Sequence, residues 1–447
     1  MKHTAHAKEP PKPWYHPTLS KQIVVGLIVG VIGGYIINVS FPQAASLPPN
    51  PGGIQPVTRE DILAWPGLVR DIFLHLIRMM VAPLVFASLV QGIAGHEDIK
   101  KVGRIAVKSL VYFEVLSGLA LGVGLLLVNL IQPGAGVTLS GDLSKLTTMQ
   151  QSHPHNVVET ILHIFPTSVI QAMAEGDVLQ IAAFSVIFAI AVSLAGDAGK
   201  PVLDFCAGLR EVMFKFAGVI MTAAPFGVAG AIMATVGDQG LAVLLGLGKL
   251  VLTLYFALAV FIVFIFGAVV WMARIPLLPF IRATREPFTL AFATANSEAA
   301  LPDAFAKMER FGVPRGIVGF VLPMGYSFNL DGTTLYLSMA SVFIAQAAET
   351  TTHIHFDIGQ QIVMMLTLIL TSKGVAAVPR VSMVVLIATL QSFKLPLEGA
   401  AMILGVDAFM DMARTSVNVL GNCLASAVIA RWEGELDDKQ ARAEFGK

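Results

Sequence analysis

Asp407-Ala408-Phe409-Met410-Asp411-Met412-Ala413-Arg414-Thr415-Ser416-Val417-Asn418-Val419-Leu420-Gly421-Asn422 lies inside an apolar run that continues to Trp432. At about 100° per residue, Asp407, Asp411, Arg414, Asn418 and Asn422 share one face of a helix, within an arc roughly 80° wide, with Thr415 at its edge. A charge at the centre of a bilayer costs on the order of 3 kcal/mol. Several on one stripe imply a polar cavity, a partner, or both. A buried structural network joining helices is the plainer reading. Arg414 argues for more, because a planar guanidinium fork is suited to a carboxylate. That carboxylate could belong to a ligand or to Asp407 and Asp411, and the helix alone does not decide.

Composition places this helix in a membrane. The 447 residues are 55% hydrophobic and only 13% charged, about half the charge of a soluble protein of that size. Formal net charge is zero, so nothing points to nucleic acid. The two cysteines, Cys206 and Cys423, sit in apolar context and suggest neither a disulfide framework nor a metal cluster. The polar segment 1–20 lacks a signal-peptide pattern, so the first apolar run is expected to be retained as a span. Lys2, Lys8, Lys12 and Lys21 precede that span, and Lys100, Lys101, Arg104 and Lys108 follow the second. The loop between them, 41–65, holds only Arg59, which predicts a cytoplasmic N-terminus.

Apolar runs of spanning length fall near 21–42, 67–95, 105–132, 179–196, 206–236 and 241–273. The stretch 133–158 reads as an exposed loop, 159–178 as an interfacial helix, and 433–447 as a charged cytosolic tail. The second half differs, because polar residues and helix breakers interrupt its apolar segments. Thr294-Ala295-Asn296-Ser297-Glu298-Ala299-Ala300-Leu301-Pro302 interrupts one and Ser372-Lys373-Gly374-Val375-Ala376-Ala377-Val378-Pro379-Arg380 another. We read 280–309 and 356–393 as re-entrant helical hairpins with polar tips, and 315–347 as a helix broken around Gly325-Tyr326-Ser327-Phe328-Asn329-Leu330-Asp331-Gly332-Thr333-Thr334. Non-helical backbone at membrane depth is tolerated where protein or a watery cavity satisfies it, and interrupted segments point to a transport site. The 329–334 stretch can be a simple turn, but its oxygen donors between apolar flanks also suit a small hard cation. Ser372-Lys373-Gly374 alone can be an ordinary loop end. Glu114, mid-span, and Glu298 are isolated carboxylates in apolar segments. Each is a candidate proton carrier if burial raises its pKa, or else is neutral or ion-paired for structure. A membrane enzyme finds no support: no His stands beside a Ser in the interrupted segments, and no Cys/His metal spacing occurs.

With all four motifs in hand, the chain resembles the dicarboxylate/amino acid:cation symporter family, which includes bacterial glutamate/aspartate transporters and the excitatory amino acid transporters. The motifs occur in family order from Thr294 to Glu433. The resemblance implies an all-α polytopic membrane protein with eight transmembrane helices, two opposed hairpins and a homotrimeric assembly. It also implies a scaffold of helices 1, 2, 4 and 5 (residues 21–95 and 159–236). A transport domain (103–132 and 239–432, its last helix 395–432) would move as an elevator, with the second hairpin as the gate at Gly374, Pro379 and Arg380. Carried over residue by residue, Arg414 matches the partner of a substrate side-chain carboxylate and Asp411 the acceptor of its amino group. Asn418, Thr415 and Thr333 match further substrate contacts, completed by backbone near Asn296, Ser297, Ala377 and Val378. Cation-site matches are Asn329, Asp331, Gly325, Ser327, Asn418, Asn422 and Ser117.

Departures from the family bear on the coupling ion. Sodium-coupled relatives carry Asp where this chain has Asn422, and Thr where it has Leu116. The expectation is therefore proton coupling through Glu298 or Glu114, with sodium or mixed coupling as the rival, and no organic cofactor. Arg380 stands where relatives carry Gly, while Ala295 and Met412 stand where some place an Arg. Arg380 is expected to replace that charge, pairing with Asp411 or Glu298. The substrate expected is L-aspartate or L-glutamate. The alternatives are a C4-dicarboxylate symporter of the same family and a ligand-gated channel or sensor.

Overall fold

The computed structural model describes residues 19–41, 57–94, 99–137, 139, 162, 165–239, 243–352, 356–371, 381–404 and 406–446. Every regular element among them is helical. The first half contains α1 (Leu19–Ser40), α2 (Arg59–Ala94), α3 (Ile99–Ile131), α4 (Val169–Glu175), α5 (Val178–Leu194), α6 (Lys200–Met221) and α7 (Ala224–Gln239). Then come α8 (Val243–Val260), a π-helical turn (Phe261–Phe266) and α9 (Gly267–Met272), in one apolar rod. The interrupted half is α10 (Leu277–Thr294), α11 (Ser297–Arg310), α12 (Arg315–Phe328), α13 (Asp331–Thr352), α14 (Ile358–Thr371), α15 (Val381–Ser392), α16 (Glu398–Leu404), α17 (Asp407–Trp432) and α18 (Asp438–Phe445).

Four described helices are long and apolar enough to cross a membrane: 22–40, 59–91, 103–131 and 247–272. The 206–236 run, expected as one span, is instead α6 and α7, bent by 55°. Pro225 is the cause, since it lacks the N–H that would bond back to Met221 and its ring crowds that carbonyl. The last helix also departs from its expected 395–432. Pro396 cannot extend a helix, the short α16 intervenes, and α17 begins at Asp407. The interfacial helix expected over 159–178 is described only as α4.

Two groups of helices pack around separate seams. In the first, α7 lies between α1 and α2, and α2 also packs on α5 and α6. Glycines set the close approach of α1 to α7, as is usual where helices associate without a hydrophobic driving force. A Cβ at Gly30 would lie 2.8 Å from both the Ala229 carbonyl oxygen and Ile232 Cβ, and one at Gly34 2.8 Å from the Met233 carbonyl oxygen. The opposite side of α1 presents Val25, Ile28, Ile32 and Ile36 outward, as a lipid-facing helix must. In the second group α17 is central, packed by α10, α11, α12 and α13, with α3 along α13. A buried arginine joins the groups: Arg210 of α6, 1% exposed, donates to Glu309 of α11 and stacks over Phe214.

The tail read from sequence as merely charged folds back as α18. Asp437 caps it by accepting from the Lys439 and Gln440 N–H groups at 2.9 and 3.0 Å. Ala441 is buried, and Phe445 packs on Phe311. Arg310 pairs with Glu444 at 2.7 Å, and Arg282 donates to the Phe445 carbonyl at 3.0 Å. Both arms of the first hairpin are thereby tied to the C-terminus.

The glycine seam makes a direct prediction. Gly30→Val should destabilise the protein by about 1–3 kcal/mol through overpacking, seen as a lower melting temperature in detergent. Unchanged melting would mean that α1 is not held at this distance.

Candidate functional site

The first hairpin reverses in two residues. Ala295 ends α10 with φ 48°, a left-handed conformation costly for a residue with a Cβ. Asn296 then caps α11, its Oδ1 accepting from the Glu298 N–H at 2.8 Å. The Tyr326 hydroxyl donates to the Ser297 carbonyl at 2.6 Å and anchors the tip to α12. The break in the next helix falls at Asn329-Leu330. It opens the first turn of α13, whose N–H groups need acceptors. Asn418 of α17 supplies one: its Oδ1 accepts from the Gly332 and Thr333 N–H groups at 2.8 and 3.3 Å. Its Nδ2 donates to Thr333 Oγ1 at 2.9 Å. Gly332 is required here, because a Cβ would meet the Arg414 backbone, with Cα at 2.9 Å.

Arg414 is 2% exposed and fully enclosed by its own protein. Nη1 donates to Asp407 at 2.9 Å and Nε to Asp411 at 2.9 Å. The guanidinium carbon sits 4.1 Å from the centre of the Tyr336 ring, a cation–π contact. Thr415 Oγ1 donates to the same Asp411 oxygen at 2.9 Å. Two protein carboxylates hold the fork in this arrangement. Neither bond uses Nη2. Arg414, Asp411, Thr415, Asn418 and Thr333 converge, and Asn296 and Ser297 form the neighbouring tip. The sequence reading missed Tyr336 and Tyr326. Tyr336 was detectable as the residue one helical turn beyond Thr333.

A second cluster lies one turn further along the stripe. Asn329, Asp331 and Asn422 are all buried. Asn329 Nδ2 donates to Asn422 Oδ1 at 2.9 Å, which leaves the Asn329 oxygen facing the two Asp331 oxygens at 3.1 and 3.2 Å. Turning that amide over satisfies Asp331 and moves the oxygen–oxygen contact to Asn422, at 2.9 Å, unless the second amide turns as well. Glycines make room: a Cβ at Gly421 would lie 2.8 Å from Asp331 Oδ2, and one at Gly325 would strike the Asn422 amide. One carboxylate and two carboxamides at one buried point are the donor set of a hard cation. Asn418 does not join them, because its oxygen is committed to α13.

The other expected residues are scattered. Ser117 is buried on the inner side of α3, but Glu114 is exposed on the outer side with Val111 and Val115. The burial on which its proton-carrier role depended is therefore absent in the single chain, since the helical phase that buries Tyr112, Phe113 and Leu116 turns residue 114 outward. Glu298 is half-buried in the first turn of α11. Gly374, Ala377, Val378, Pro379 and Arg380 lie outside the described residues, as does the side chain of Ser327.

Beyond the last turn of α17, Glu433 ties this helix to α3, its side chain only 1% exposed. Arg104 donates to both its oxygens, at 3.2, 3.0 and 2.6 Å, and Lys108 at 2.7 Å. The Arg104 hydrogen bonds, aided by Lys108, hold the carboxyl down to about 2 from its usual 4.5.

Apolar spanning helices, a broken helix and a hairpin packed around buried charges define an integral membrane transporter. The model of the sodium:dicarboxylate symporter family matches residues 19–432, and the chain belongs to that family. It is 43% identical over 428 residues to a proton/sodium-glutamate symport protein of Bacillus subtilis (strain 168), covering 95% of this chain and 94% of the relative. A Bacillus caldotenax protein of the same description is 42% identical over 429 residues, 95% and 96% covered. A C4-dicarboxylate transport protein of Pseudomonas syringae pv. syringae (strain B728a) is 39% identical over 435 residues, 96% and 91% covered.

The Glu433 contact predicts a pH signature. A depressed carboxyl pKa contributes stability that is present above the unfolded value, here 4.5, and is lost as pH falls through the folded value of about 2. Glu433→Gln should lower the melting temperature at pH 7 by several degrees, and the gap to the parent should close as pH falls from 4.5 toward 2. A gap independent of pH would show that ionisation is not its source.

Proposed function

We propose that this protein is a secondary symporter that imports acidic amino acids, L-aspartate or L-glutamate, through the bacterial plasma membrane, with its N-terminus in the cytoplasm. The observation that carries the reading is Arg414, buried between Asp407 and Asp411 beside the hairpin tip and the opened first turn of α13. A fork for a side-chain carboxylate and an acid for an ammonium select an amino acid with an acidic side chain. Pairing buried polar groups also penalises analogues that leave one unpaired. The substrate's carboxylate would engage Arg414 and Thr333, its amino group Asp411 and Thr415, and its α-carboxylate Asn418 and the tips around Asn296–Ser297 and Ala377–Val378.

Charge explains the coupling. Asp407 and Asp411 share one guanidinium, and Asp331 is a third buried carboxylate in the neighbouring cluster. Adding an acidic substrate deepens the negative excess, and low dielectric makes that costly unless cations enter too. The carboxylate of Asp331 and the carboxamides of Asn329 and Asn422 would take either a proton or a small cation. We favour the proton, because Asn422 removes one negative charge from the set and Glu298 adds a protonatable group. Sodium is the rival ion. The second reading, a C4-dicarboxylate symporter, is favoured by relatives of that description at similar identity; Asp411 counts against it, since a plain dicarboxylate offers it no ammonium.

Eight spans, two hairpins and a trimer complete the proposal. The α1, α2 and α4–α7 group is the scaffold, and α3 with α8–α17 is the moving body. The second hairpin is the gate at Gly374, Pro379 and Arg380. Proteoliposomes should accumulate radiolabelled L-aspartate under a pH gradient in sodium-free buffer. Asp411→Ala should lose at least tenfold in that uptake, whereas succinate accumulation with no aspartate uptake by the parent would select the dicarboxylate reading. Uptake only with sodium would reverse the ion assignment. If α11 moves against α6, cross-linking the Arg210→Cys, Glu309→Cys variant with a short bifunctional reagent should leave aspartate binding intact and bring uptake to background. Undiminished uptake would place both residues on one rigid body.

A further inference from the structure

At the end of the α8–α9 rod, the chain turns into the first hairpin through Ala273-Arg274-Ile275-Pro276. A cleft of about 750 Å³ opens there, lined by the apolar Gly267, Val270, Trp271 and Ile275 and by two cations, Arg274 and Arg442. Trp271 is 80% exposed, and Leu277, Leu278 and Ile281 continue the apolar surface. Arg274 is held in place at a cost. Its φ is +51°, a conformation rare for residues with a Cβ. Arg431 fixes that turn by donating to the Ala273 and Arg274 carbonyls, each at 3.0 Å. On α18, Asp438, one turn before Arg442, is already taken by Arg431 at 2.6 Å, and Glu444 by Arg310 at 2.7 Å. Neither Arg274 nor Arg442 has an ion-pair partner among the described residues.

Two guanidiniums without acids, over an apolar slot, at the end of a spanning helix marked by an exposed tryptophan, match one kind of occupant. We propose that this cleft binds an anionic phospholipid, its phosphodiester between Arg274 and Arg442 and one acyl chain along Gly267, Val270 and Ile275. Bidentate geometry suits arginine to phosphate, and tryptophan prefers the level of the headgroups. The site lies between the moving rod and the C-terminal helix that ties the first hairpin, so a bound lipid would bridge them. It is independent of the transported substrate.

The test is native mass spectrometry of the purified full-length chain, titrated with phosphatidylglycerol or with phosphatidylcholine of the same acyl chains. Phosphatidylglycerol should be retained preferentially. Arg274→Gln and Arg442→Gln should each lower that preference by roughly fivefold. A Cβ at Gly267 would have only the Ile262 carbonyl within 4 Å, at 3.9 Å, and Gly267 lines the cleft, so Gly267→Leu is directed at the proposed acyl-chain position. It should reduce retention of the lipid while leaving both charges and the melting temperature in place. Inorganic phosphate should not compete. Equal retention of the two lipids, indifference to the arginine and glycine variants, or displacement by inorganic phosphate would each overturn the proposal.

Discussion

The protein is organised around the cost of keeping Arg414 charged where water is scarce. A buried guanidinium must be paired and hydrogen-bonded, and two of its acids, Asp407 and Asp411, come from its own helix. The third contact, the Tyr336 face, comes from α13. That contact is possible only because α13 starts at Asp331, and the break before it is stable only because Asn418, one turn beyond Arg414, caps the exposed N–H groups. Gly332 allows the two backbones to touch. The charge, the helix break and the glycine are therefore one device, and removing any member leaves a buried polar group without its partner.

The same economy governs the neighbouring Asn329–Asp331–Asn422 cluster. Its oxygens approach one another because Gly325 and Gly421 withdraw side-chain bulk. With both amides turned, Asn329 donates to Asp331 and Asn422 donates to Asn329, so the three groups pair within the cluster. The cluster shares α17 with the Arg414 group.

Around this polar centre the packing is divided. Glycine-lined seams bring α1 and α2 tightly onto α7, whereas α17 is enclosed by α10, α11, α12 and α13. Glu433 fastens α17 to α3 at one end, and Arg431 with α18 fastens it to the hairpin base. Between the two groups stands the buried Arg210–Glu309 pair, a contact costly to break without solvation of both partners.

Much of this was legible in residue order. The 407–422 stripe, the hairpin at 280–309 and the break near Asn329 follow from local rules: helical phase, capping chemistry and the exclusion of polar groups from apolar runs. The α17 phase put Asp407, Asp411 and Arg414 on one face, so their pairing was foreseeable as an option. The bend at Pro225 was equally local but was hidden by the uninterrupted apolar run around it. What the chain order did not determine were contacts between distant segments. Whether Arg414 meets protein or ligand depends on where Tyr336 and Asn418 are brought relative to it. Glu114 and Ser117 are three residues apart, yet only the packing of α13 against α3 decides that one faces outward and the other inward. The tail from Asp438 to Phe445 reads as a charged end until Phe311 is near enough to bury Phe445. Local preferences are written along the chain, but burial and pairing of charge arise from which surfaces meet, and only the tertiary structure selects those.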